Sequence, residues 1–124
     1  MATTHSEVSR NVGKELLFEN DRIRVWSMTL QPGESCEYHR HDHDYVYCYT
    51  TPSKIAAQRA EEPDEVREFD QHFVQYRAVG DGVEHLITNV NDIPHNQILI
   101  ELKGPSEAAR PQTPQDNGRA RPVK

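Results

Sequence analysis

The sequence predicts a small all-β domain, a sandwich or a barrel, on three observations. β-Branched and aromatic residues cluster in short runs, turn-forming residues separate those runs at close intervals, and no segment carries a convincing helical period. The chain's 124 residues give room for one domain with one hydrophobic core. Ala56 to Val66 holds good helix formers, but Pro63 and the lack of an apolar stripe argue against a helix there.

Taken in order, Met1 to Gly13 is polar and small and reads as a flexible arm, although such an arm can add to a sheet edge. Strands are expected at Leu16 to Phe18, Arg22 to Leu30, Ser35 to His41 and Asp44 to Thr50. Further strands are expected at Lys54 to Gln58, Val66 to Phe69, Phe73 to Arg77, His85 to Val90 and Gln97 to Leu102. The breaks fall at Glu19-Asn20-Asp21, Gln31-Pro32-Gly33, Thr51-Pro52, Glu62-Pro63-Asp64, Gly80-Asp81-Gly82 and Asn91-Asp92-Ile93-Pro94, where turn chemistry favours them. The folding region is therefore residues 14–103. Residues 104–124, proline-rich with Val123 as the only large apolar side chain, read as a disordered tail.

Acidic residues outnumber basic ones 20 to 14, for a formal charge of -6, which gives no electrostatic reason to expect nucleic acid or an anionic membrane as partner. No apolar run approaches a membrane span, and the first residues lack the pattern of a secretory signal, so a cytoplasmic protein is expected. Cys36 and Cys48 are too few for a disulfide framework and form no Cys-x-x-Cys pair; both read as packing residues.

The chemistry concentrates in His39-Arg40-His41-Asp42-His43-Asp44-Tyr45. Side chains alternate faces along a strand, so His39 and His41 point the same way about 7 Å apart and can converge on one ion. His43 and Tyr45 continue that parity if the strand runs straight. A metal needs a ligand from another direction, and His85, just after the Gly80-Asp81-Gly82 turn, is the candidate.

With these residues in place the chain resembles the cupins over most of Arg22 to Lys103. The family's first motif has a glycine, a His-x-His pair, a glutamate and a second glycine; Gly33, His39 and His41 match in register. Tyr45 or Val46 stands where the glutamate belongs, and Pro52 or Ser53 replaces the last glycine. In the second motif Gly82, His85 and Asn89 match, whereas Val74 and Gly80 replace a glycine and the proline. The resemblance implies an antiparallel β-barrel or jelly roll with a divalent metal held by His39, His41 and His85. It also implies iron(II) and dioxygen chemistry on a small organic molecule, in a homodimer whose exposed sheet edges are covered by the second copy.

Losing the glutamate leaves three neutral imidazoles and the full dipositive charge on the ion, a strong Lewis acid that suits anionic or enolate-forming substrates. Zinc, manganese or nickel at the same ligands would instead support isomerase, lyase or hydrolase chemistry, and a non-catalytic binding barrel is the remaining alternative. Tyr45 is the catalytic candidate, able to move a proton if its pKa is lowered. His43 is a further pocket candidate, and a bulge would let Asp44 supply a carboxylate ligand. Tyr45, Tyr47 and Tyr49 alternate as barrel-filling side chains do. His72 and His95 read as surface residues, Asn89 as a structural amide, the acidic run from Glu61 to Glu65 as a solvated loop, and Arg22, Arg24 and Arg40 as possible contacts for an anion.

Overall fold

Residues 8–59, 62–107 and 120–122 are described by the computed structural model of the chain. Its strands are β1 (Glu15–Glu19), β2 (Ile23–Leu30), β3 (His39–His41), β4 (Asp44–Tyr49), β5 (Ser53–Gln58), β6 (Glu65–Phe69), β7 (Phe73–Arg77), β8 (Val83–Asn89), β9 (His95–Leu102) and β10 (Ala120–Pro122). Two five-stranded antiparallel sheets, ordered β1-β2-β9-β4-β7 and β10-β6-β5-β8-β3, face each other. No α-helix occurs among the described residues. This is the all-β jelly-roll barrel expected, with strand limits close to those read from the turns.

Alternation along each strand builds the interior. Strand β9 alternates buried and half-buried residues without a break, and β4 sends Tyr45, Tyr47 and Tyr49 inward. The registers align the inward residues in rows across the first sheet: Arg24, Glu101, Tyr45 and Arg77 form one, and Trp26, Leu99, Tyr47 and Gln75 the next. The core includes Trp26, Met28, Leu30, Tyr47, Tyr49, Ile55, Phe73, Ile87 and Leu99, contributed by both sheets. The outward face of the same sheet carries Val25, Ile98, Ile100, Val46 and Val74, all partly or largely exposed.

Three expectations need correction. His95 is buried, at 1% exposure, not on the surface. Strand β9 begins there, and its parity turns His95 inward with Gln97 and Leu99, against Ser53 Oγ at 2.7 Å and Gln97 Oε1 at 2.8 Å. The arm is docked over Val8 to Gly13: Val12 enters the core, and the Ser9 carbonyl accepts the Arg40 amide at 2.8 Å, capping the free edge of β3. Beyond Lys103, Ser106 and Glu107 bind the Asp44 carboxylate, and Ala120–Pro122 pairs antiparallel with β6. Each contact gives an open strand edge or a buried carboxylate the partner it lacks. The rest of the arm, residues 1–7, and of the tail, 108–119 and 123–124, lies outside the described residues.

His72 is exposed as expected and holds a positive φ of 69° in the β6–β7 turn. Asn89 is the structural amide anticipated: its Nδ2 donates to the Leu30 and Ile93 carbonyls at 2.9 and 2.8 Å. Cys36 and Cys48 are both free.

Candidate metal centre

Strand pairing puts the three histidines together. β3 pairs with β8 so that His39 lies directly opposite His85, and His41 lies two residues along on the same face. Their ligand atoms all lie within 4.8 Å of one another. His39 Nε2 is 3.1 Å from His41 Nε2, which is 3.2 Å from His85 Nε2. Two nitrogens each about 2.0–2.1 Å from one ion stand about 2.8–3.4 Å apart for octahedral to tetrahedral angles, so the donor set fits a divalent metal.

Hydrogen bonding fixes one tautomer. The His39 Nδ1–H donates to the Glu37 carbonyl at 2.9 Å, which leaves its Nε2 lone pair aimed at the other two rings. Burial lowers the pKa of all three: His39 is lowered against the opposing pull of Glu37, His41 lies well below the ordinary value, and His85 is pushed down to about 3, with neighbouring histidines and arginines adding to the effect at His41 and His85. Neutral imidazole is the form that ligates a metal. Among the described residues, Nδ1 of His41 and of His85 are buried without a hydrogen-bond partner.

The backing of β3 and β8 is ionic. Arg40, pointing away from the histidines, donates to Asp42 at 2.7 Å and to Glu84 at 3.0 Å, and it also reaches the Asp81 carbonyl. Gly82, at φ +121°, lets that guanidinium pass; a Cβ there would stand 2.2 Å from Arg40 Nη2. The match of Gly82 to a family glycine thus has a local cause.

The other expected site residues divide. Tyr45 does reach the cluster: its ring stacks on His41 with centroids 4.0 Å apart and planes 15° apart. In the metal-free chain burial pushes its phenol pKa up rather than down. His43 does not line the cavity, because the chain leaves one sheet after His41 and enters the other at Asp44, which breaks the parity. Asp44 is not a ligand either. Its carboxylate accepts from Tyr76 Oη at 2.9 Å, the Val79 amide at 2.9 Å, Ser106 Oγ at 2.6 Å and the Glu107 amide at 2.6 Å, on the outward face of β4.

The histidines open onto a cavity of about 390 Å³, lined by His39, His41, His85, the three β4 tyrosines, Met28, Ile55, Leu99 and Phe69 among others. Of the arginines considered as anion contacts, Arg22 is exposed, Arg24 is bound to Glu101 at 2.7 Å and Arg40 serves the β3–β8 backing. The arginines that do line the cavity are Arg59, Arg67 and Arg77. For Arg77 the signal was available in the parity it shares with Phe73 and Gln75; Arg59 lies past the end of β5, where no period applies.

No protein-family model and no curated protein matches the chain. Solved structures do. A cupin domain from Bordetella pertussis Tohama I is similar at a TM-score of 0.66 and 26% identity, over 72% of this chain and 90% of that one. An RmlC-like cupin family protein with a double-stranded β-helix fold, from Methanocaldococcus jannaschii, gives 0.58 and 15%, over 71% and 76%. A cupin superfamily protein from Desulfitobacterium hafniense DCB-2 gives 0.53 and 15%, over 81% and 87%. With two antiparallel five-stranded sheets around a three-histidine cluster, and with these structural neighbours, the chain has the fold of a small cupin domain.

Proposed function

We propose that this cupin is a metal-dependent enzyme acting on a small organic molecule, with iron(II) and dioxygen as its chemistry. The observation that carries the reading is the convergence of three neutral imidazole nitrogens, from His39, His41 and His85, on one wall of a half-open cavity with a mixed polar and apolar lining. Bound there, iron(II) supplies redox chemistry and open positions for substrate and oxygen. The chain's own residues hold and orient: the His39 tautomer is set by the Glu37 carbonyl, and the His41 ring is braced by Tyr45.

The alternative, isomerase, lyase or hydrolase chemistry with zinc, manganese or nickel at the same three ligands, is separated from this reading by the test below. The partner we propose is a second copy of the chain, seated on the outward apolar face of Val25, Ile98, Ile100 and Val46 and on the exposed Leu16, Leu17 and Phe18 of the β1 edge. No helix among the described residues is long and apolar enough to cross a membrane. The free thiols of Cys36 and Cys48 suit a reducing compartment, and we assign the protein to the cytoplasm.

The test is oxygen uptake by protein loaded with iron(II) and offered a panel of small carboxylic acids and diketones. Substrate-dependent uptake that vanishes in His85→Ala supports the proposal. Turnover with zinc or manganese and no oxygen consumption would move the protein to the non-redox class. Ligand binding without turnover under any metal would leave a binding barrel.

A further inference from the structure

The cavity holds more positive charge than the fold requires. Arg59, Arg67 and Arg77 line it together with Glu62 and Glu65. Arg67 is engaged by Glu65 at 3.1 Å, and Glu62 is exposed at the rim. Among the described residues, neither Arg59 nor Arg77 makes an ion pair with a carboxylate, although both are half-buried. Elsewhere the half-buried arginines do have one: Arg24 has Glu101 and Arg40 has Asp42 and Glu84.

Both guanidiniums stand at the histidine end. Arg77 lies beside Tyr45 in the β4–β7 register, two residues from Gln75, which accepts from the Tyr47 hydroxyl at 2.6 Å. The charges of Arg59 and Arg77 act on the same three groups, Tyr45, Tyr47 and His85. Holding two like charges near each other out of bulk water is unfavourable unless an anion joins them. A guanidinium presents a planar fork that matches a carboxylate with two parallel hydrogen bonds.

We propose that Arg59 and Arg77 form the anchoring site for a carboxylate-bearing substrate with a flat apolar body. The body lies against Tyr45, Tyr47 and Phe69 and the carboxylate meets the two guanidiniums. The aromatic and aliphatic side chains beside the two arginines decide the class, since an inorganic phosphate has no hydrocarbon surface to lay against them. This assignment deepens the metalloenzyme reading by naming its substrate class, and its anion-binding half stands without a metal.

The test is calorimetric titration of the full chain with benzoate, its neutral isostere benzamide and inorganic phosphate, once in chelator and once after metal loading, with metal content measured in parallel. In chelator, benzoate is expected to bind roughly tenfold or more tightly than either other probe, a difference of about 1.4 kcal/mol or more. Arg77→Gln and Arg59→Gln are each expected to weaken benzoate roughly tenfold and leave benzamide unchanged. Arg59 lies outside the strands, so its variant keeps the test alive if Arg77→Gln fails to fold. Equal binding of benzoate and benzamide, tighter binding of phosphate, no benzoate binding at all, or benzoate binding indifferent to both substitutions overturns the proposal. Metal uptake alongside any of those results sinks the carboxylate site alone. Arginine-dependent benzoate binding in a chain that takes up no metal sinks only the metalloenzyme reading.

Discussion

Tyr45 lies face to face with His41, ring centroids 4.0 Å apart, although the two side chains come from different sheets. The contact crosses the barrel at the point where the chain changes sheets, so β4 fixes the orientation of a residue on β3. Groups that orient metal-binding histidines typically affect metal affinity by about 10–100-fold. Tyr45→Phe, which keeps the ring, is expected to retain metal as the parent does. Tyr45→Ala is expected to weaken metal roughly tenfold, measured by competition with a chromogenic chelator. A large loss of affinity in Tyr45→Phe would show that the hydroxyl, not the stacked ring, matters.

Acid should destabilise the metal-free barrel through its buried histidines. His39, His41, His85 and His95 all have pKa values lowered in the folded chain, His85 to about 3, chiefly by burial. The unfolded chain takes up protons near the ordinary histidine value of 6.5 while the folded chain does not, so stability is full above that pH and falls as the pH drops toward 3. Urea midpoints of chelator-treated protein should therefore decline between pH 7 and pH 4. His85→Gln should flatten part of that decline; an unchanged slope would mean the ring is not held neutral.

Asp44 ties together β4, the start of the β7–β8 connection and Ser106-Glu107 through four donors. Removing a buried carboxylate from such a set leaves donors unsatisfied, and Asp44→Ala should cost about 2–4 kcal/mol in denaturant unfolding. Metal stoichiometry should stay the same. A loss of metal at unchanged stability would reinstate Asp44 as a ligand.

Gly82→Ala tests the ionic backing of the site. An alanine there must adopt a φ near +121° and displace the Arg40 guanidinium, a strain of about 1–3 kcal/mol. The expected result is reduced stability together with weaker metal binding, because β8 carries His85 three residues on. Stability lost with affinity intact would separate the turn from the site.

Much of this was legible in the sequence because the signals are local. Period-two alternation marks His39 with His41 and the β4 tyrosines, and turn residues bound nearly every strand. The failures are non-local. Tyr45 keeps its inward parity but His43 does not, since a bend between sheets cannot be seen in a run of polar residues. His95 follows a proline turn, and only the register of β9 turns it inward. Asp44 offers a carboxylate next to the histidines in sequence, yet its partners are 32 to 63 residues away. Arg77 shares the inward parity of Phe73 and Gln75, whereas Arg59, past the end of β5, reaches the cavity only through the packing of the two sheets. Val12 and Ser9, from a stretch of low apolar content, fold because β3 leaves an edge that needs a partner.

The central claim is that His39, His41 and His85 hold one divalent ion. Elemental mass spectrometry on untagged full-length protein and its His85→Ala variant tests it most directly. Near-stoichiometric metal in the parent, lost in a variant that remains folded by circular dichroism, is the expected result, with iron supporting the oxygenase reading. A parent that neither contains nor takes up a divalent metal, or a variant that retains it fully, would contradict the account.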